Sequence, residues 1–166
     1  MSLGQGLITK LSKLCFAVAS VALVVMALHI FMDFIGRLLG FYLDGTLEFT
    51  SFYYMIFAVF LGASYAQQKN VHIATDVLTN LLPQTIQTVV IKIGLLVQIA
   101  FYAILSYQTL LDAISSYESS EEAMANFTFY IWPSKWALPI GFISLTLVVI
   151  LQLFSRVDTK SEGVFE

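Results

Sequence analysis

Apolar residues fall along this chain in four long runs, about Leu14–Gly36, Phe49–Ala66, Ile86–Leu111 and Trp136–Phe154, separated by short polar stretches. A helix needs roughly 20 consecutive apolar residues to cross the hydrocarbon of a bilayer, so each run predicts a transmembrane span. The second is near the short limit, and Tyr53, Tyr54 and Tyr65 at its ends suit the membrane–water boundary. Between the second and third runs the rhythm changes. Val71, Ala74, Val77 or Leu78, and Leu81 or Leu82 recur at helical spacing, while His72, Thr75, Asp76, Thr79 and Asn80 take the other side. Asn70 is placed to cap such a helix and Pro83 to end it. A dozen residues cannot span, so the stretch 70–82 is expected to lie flat at the interface. The expected fold is all-α: residues 1–166 as a single membrane domain of four transmembrane helices, with a short amphipathic helix between the second and third.

Composition sharpens this reading. The 166 residues are 58% hydrophobic and 11% charged, with a mean hydropathy of +0.83. Soluble domains carry about 25% charged residues, so a chain this apolar has lipid as its main solvent. The net charge of −3 says little, because the charges are segregated by side. No basic patch with interleaved aromatics is present, so nucleic acid is not expected. The single cysteine, Cys15, excludes an internal disulfide and any multi-cysteine metal site. Lys10 and Lys13 ahead of an apolar run look superficially like a signal peptide. That run is too long for one and lacks a small-residue cleavage site followed by a soluble domain, so a retained first helix is expected.

The ionisable residues define sides and candidate contacts. His29, Asp33 and Arg37 lie four residues apart on one face, late in the first run. Apolar residues contribute about −0.3 to −0.6 kcal/mol each to insertion, so some fifteen of them outweigh one aspartate at about +3. The segment therefore still spans. Glu48 falls in the first turn of the second helix, where a carboxylate complements the exposed N–H groups. Arg37 and Glu48 are expected either to pair across the intervening turn or to meet a partner chain. Placing Lys10, Lys13, Lys69, Arg156 and Lys160 on the cytoplasmic side leaves Arg37 and Lys135 opposite, which satisfies the positive-inside rule with both termini inside. The loop Asp112–Lys135, with Glu118, Glu121 and Glu122, is then outside, either simply solvated or a docking surface. Trp132 and Trp136 read as interfacial anchors. His72 and Asp76, four apart on the polar face of the flat helix, suit a partner or headgroup contact, or a local hydrogen bond. Two such groups fall short of a metal's usual shell.

Chemistry is otherwise sparse. Bis-histidine haem would need a second histidine inside the spans, and only His29 lies there. No nucleophile with an assembled base is visible, and the second and fourth runs lack the polar, broken helices that line a transport path. No catalytic residue, cofactor site or metal site is expected. The pattern is that of a supporting membrane subunit, with a non-transporting anchor for a redox or signalling complex as the alternative.

Several stretches then resemble one known family. They are Arg37 and Glu48; Phe60-Leu61-Gly62-Ala63 with Tyr65-Ala66; Lys69, His72-Ile73, Asp76, Leu78 and Leu82-Pro83; and Leu138-Pro139-Ile140-Gly141-Phe142. In this order they resemble the small membrane subunit of tripartite ATP-independent periplasmic (TRAP) transporters, over about Arg37 to Phe154. Asn70-Val71 stands where that family often has a glycine and a polar residue. The resemblance implies an inner-membrane protein bound to a large membrane subunit as a heterodimer. That large subunit imports an organic anion by a sodium-coupled elevator motion, and a periplasmic substrate-binding protein delivers the anion. The small subunit would stabilise the scaffold in the membrane lipid. Gly62 and Ala63, being small, are expected to permit close packing against the large subunit, with Arg37, Glu48, His72 and Asp76 as further contacts.

Overall fold

The computed structural model describes residues 3–41, 43–69, 83–123 and 128–154. Among the described residues four helices are long and apolar enough to cross a membrane. They are α1 (Leu3–Leu38), α2 (Thr46–Gln68), α3 (Gln84–Glu118) and α4 (Ala137–Phe154), the last preceded by a helical turn over Trp132–Lys135. The expected flat helix over 70–82 lies outside the described residues. Both α1 and α3 run well past their apolar runs, to 36 and 35 residues. At about 1.5 Å per residue each is roughly 50 Å long, more than the ~30 Å of hydrocarbon, so their ends stand in the headgroup layers or beyond.

Termination of α1 follows from its sequence. Gly40 takes φ +87°, and the Phe41 N–H returns to Gly36 O at 3.0 Å while Gly40 N–H reaches Arg37 O at 3.3 Å. Such a left-handed residue satisfies the last carbonyls of a helix and reverses the chain, and glycine adopts it without a Cβ penalty. Helix α2 departs from regular α geometry over Thr50–Tyr54 and Phe57–Leu61, which are π-helical. The Met55 N–H, for example, returns to Thr50 O, five residues back. The widened turn rotates the aromatic side chains of α2 relative to an ideal helix, so simple 3.6-residue counting along this span fails.

The last helix is the centre of the bundle. In α4, Ala137, Pro139, Gly141, Ser144, Leu145, Val148 and Val149 are buried. Its most apolar window is 39% buried inside the protein against 0% for that of α3, which identifies the element the others surround. Helix α1 packs on α2 and α4, and α3 packs along α4. A stripe on α1, Ser12, Cys15 and Ala19, is buried, with Cys15 and Ala19 joining Leu61 and Ala137 in the core. Contact is closest at Gly141, where a Cβ would stand 2.3 Å from Phe60 O and 2.7 Å from its carbonyl carbon. Only a glycine admits the Phe60 backbone there. The Phe60 and Phe142 rings then meet edge to face at 5.4 Å.

The loop after α3 is folded onto the bundle instead of standing free in water. Glu122 pairs with Tyr130 and Ala123 with Phe129 in a short antiparallel ladder. Phe129 stacks on Phe49 of α2 at 5.1 Å, and the Tyr53 hydroxyl donates to Tyr130 O. Glu121 forms an ion pair with Lys135, so one of the three acidic residues expected to be solvated has a counter-charge at the start of the last span. The Lys135 ammonium holds the Glu121 carboxyl below the usual glutamate range.

The Gly141 approach yields a direct prediction. Gly141→Leu forces α2 and α4 apart, and overpacking of this kind costs about 1–3 kcal/mol. Thermal unfolding of the full chain in detergent should show a clear drop in Tm, whereas Gly94→Leu, where added atoms meet open space, should not.

Candidate functional site

The chemistry-bearing residues gather into polar contacts that lock the spans to each other. At the head of the first hairpin, Asp33 is buried in α1 at 8% exposure. Its Oδ2 accepts from Arg37 Nε at 2.9 Å, and its Oδ1 accepts from the Leu43 N–H at 3.0 Å. The carboxylate thus holds the backbone of the turn between α1 and α2. Nearby, His29 Nδ1 and the Tyr54 hydroxyl lie 3.1 Å apart, joining the same two helices. All three residues of the charged stripe therefore serve the α1–α2 end.

At the opposite end, two glutamines clasp α2 to α4. Gln67 Nε2 donates to Gln152 Oε1 at 2.8 Å, and Gln152 Nε2 donates back to Gln67 O at 2.9 Å. A further bond, Gln68 Nε2 to Thr9 Oγ1 at 2.9 Å, ties α2 to the start of α1. Buried amides must be paired, and in a low-dielectric interior such bonds fix helix register more firmly than apolar contact alone.

The other expected contacts are distributed as follows. Arg37 keeps 57% of its side chain exposed while bonded to Asp33, and Glu48 is half-buried in the first turn of α2. Gly62 lies against α1 of the same chain, its would-be Cβ 3.7 Å from Ala19 Cβ, and Ala63 beside it is half-buried. Trp132 packs edge to face on Tyr117 at 5.0 Å, and Trp136 is half-buried one turn later. His72 and Asp76 lie outside the described residues. Among the described residues no group of three or more His, Cys, Asp or Glu side chains converges as a metal shell would.

Two of the stretches that carried the family resemblance, Phe60–Ala63 and Leu138–Phe142, face each other at the α2–α4 crossing. A family model, described as tripartite ATP-independent periplasmic transporters, DctQ component, matches residues 26–159. The chain belongs to this family. No curated protein and no solved structure matches it. The DctQ family is a component of a transporter, not an enzyme, and the four spans make this member a multi-pass protein of the inner membrane. The matched range takes in all the interhelical contacts described here except those made by Thr9 and the buried stripe at Ser12–Ala19.

Sequence reading missed three of these features. Tyr54 gave no signal beyond an aromatic near an interface, and the Leu43 N–H is backbone. The glutamine clasp was detectable in principle, since Gln67 and Gln152 are amides at the ends of two apolar runs and each needed a partner.

Relative magnitudes separate the two roles of Asp33. Its partner Arg37 is largely exposed, and exposed ion pairs are worth about 0–1 kcal/mol. The bond from the Leu43 N–H is part-buried in a residue 37% exposed, and a hydrogen bond of this kind contributes about 0.5–1.5 kcal/mol. Asp33→Asn should therefore retain most of the stability of the full chain in detergent, and Asp33→Ala should lose about 1 kcal/mol, read from denaturation midpoints. Equal losses in the two variants would show that the charge dominates.

Proposed function

We propose that this chain is the small membrane subunit that binds the large subunit of a TRAP transporter and steadies its stationary scaffold. The large subunit imports an organic anion, a carboxylate or sugar acid, coupled to sodium, and receives it from a periplasmic binding protein. The observation that carries this reading is the division of surfaces. Inside the spans, Asp33, His29, Gln67 and Gln152 are paired within the chain. Outside, α1 exposes Val21, Val24, Leu28 and Phe31, and α3 exposes Val90, Ile93, Val97 and Ile104. Such a body suits holding a position in lipid and against another membrane protein, and its described residues offer no polar route for a solute.

An elevator works only if one domain moves relative to lipid while the other stays still. Added spans enlarge the still part, and Trp132, Trp136 and a flat helix over 70–82 would set its depth. The contacts proposed for the large subunit are the exposed flank of Arg37, Glu48, Ala63, His72 and Asp76. Gly62, half-buried beside Ala19 of α1, is proposed as a further contact next to Ala63. Both termini are proposed to be cytoplasmic, on the balance of basic residues.

Two measurements test this reading. Proteoliposomes containing the large subunit with this chain should take up substrate from the binding protein, and omission of this chain should abolish or strongly reduce uptake. Full uptake without it would overturn the essential role. For orientation, a Cys15→Ala background carrying Ser119→Cys should react with an impermeant maleimide in intact cells. Lys10→Cys should react only after the membrane is opened, and the reverse pattern would invert the topology.

A further inference from the structure

A cavity of about 300 Å³ opens where α2, the end of α3 and the start of α4 meet. Ile56 and Leu138 give it an apolar part, and Asp112, Ser116, Glu121 and Lys135 give it a polar one. We propose that this cavity binds the headgroup of an aminophospholipid, of the phosphatidylethanolamine type, through its primary ammonium group.

Three observations lead there. The first is charge. Glu121 is already paired with Lys135, so Asp112 is the carboxylate left to the cavity, its bond from Gln108 Nε2 being a weak 3.3 Å. Two carboxylates against one ammonium leave an excess negative charge, which repels anionic headgroups and attracts a cation. The second is an unmatched hydroxyl. Ser116 is only 2% exposed and its Oγ has no partner at hydrogen-bond geometry, although it lies close enough to Glu121 to favour that carboxylate's charged form. A buried hydroxyl of this kind is an acceptor waiting for an N–H. Asp112 and Ser116 together therefore select an ammonium that can donate hydrogen bonds, which a choline headgroup cannot.

Depth in the membrane is the third observation. Helix α3 outruns the hydrocarbon, and Asp112 and Ser116 lie in its last two turns. Lys135 and Leu138 flank the beginning of α4 beside Trp132 and Trp136, residues that favour the headgroup layer. The cavity thus sits where lipid ammonium and phosphate groups are concentrated. Ile56 and Leu138 offer contact to the adjoining glycerol and upper acyl chain.

Native mass spectrometry of the full chain in detergent, titrated with phosphatidylethanolamine, phosphatidylcholine and phosphatidylglycerol, tests the assignment. Phosphatidylethanolamine should bind about tenfold more tightly than the other two, the order expected for a charge-assisted hydrogen bond. Asp112→Asn should remove that preference, and Asp112→Glu should restore it. Circular dichroism of each variant establishes that the helices are intact, and Asp112 is exposed enough for its replacement to leave folding unaffected. Equal binding of the three lipids, or an unchanged preference in Asp112→Asn, would overturn the proposal. Excess free phosphoethanolamine separates the two sources of the same chemistry. Retention of bound lipid in its presence supports a membrane ligand, and displacement would assign the cavity to a soluble amine and overturn the lipid reading.

Discussion

The absence of a side chain at Gly141 lets the Phe60 carbonyl approach α4 at a distance no Cβ tolerates. In lipid there is little hydrophobic gain from pressing apolar helices together, so association depends on dispersion contact at short range and on a few hydrogen bonds. The crossing of α2 and α4 supplies both. Close backbone approach brings Phe60 onto Phe142, and the glutamine clasp at Gln67 and Gln152 closes one end of the same pair. Once α2 and α4 are fixed in register, α1 has a groove for Cys15 and Ala19, and α3 has the remaining face of α4.

Much of this plan was legible in the residues. The four apolar runs required four spans, because no other arrangement hides so much apolar surface from water. The glycine-containing stretch Leu138–Phe142 was visible as a motif, but its reason was not, since the Phe60 backbone that it admits is nonlocal. Gly62, expected as a contact to another chain, also stands close to Ala19 of its own chain and is only half-buried. Small residues mark close packing and carry no label for which helix approaches. The π-helical turns of α2 were invisible for a related reason. Periodicity assumes a constant number of residues per turn, and two widened segments over Thr50–Leu61 break that assumption while leaving the apolar run intact.

Charges behaved differently from small residues. Asp33 and Arg37 could be paired by spacing alone, yet the second oxygen of Asp33 serves the Leu43 N–H, ten residues on. One carboxylate therefore closes the turn and neutralises a cation at once. Glu121 shows the same economy across the other hairpin, accepting from Lys135 while its own backbone carbonyl receives the Ile131 N–H at 3.0 Å. Both hairpin heads on this side are organised around an acid whose partner belongs to its own polypeptide. Asp33 and Glu121, near the membrane surface, are thus both held within the chain.

The central position of α4 also bears on biogenesis. Ribosomes deliver α1, α2 and α3 to the membrane before α4 emerges, so the three earlier helices must wait in lipid without the element they surround. During that interval Gln67 has no Gln152 to receive it, and the surface of α3 that will lie on α4 is bare. The α1–α2 hairpin already has bonds of its own, at Asp33–Leu43, His29–Tyr54 and Gln68–Thr9, and the fourth span joins α3 to it. The subunit is thus built like an arch whose keystone is laid last, and a chain interrupted before Ala137 would offer its neighbours an α1–α2 hairpin without the helix that holds α3 to it.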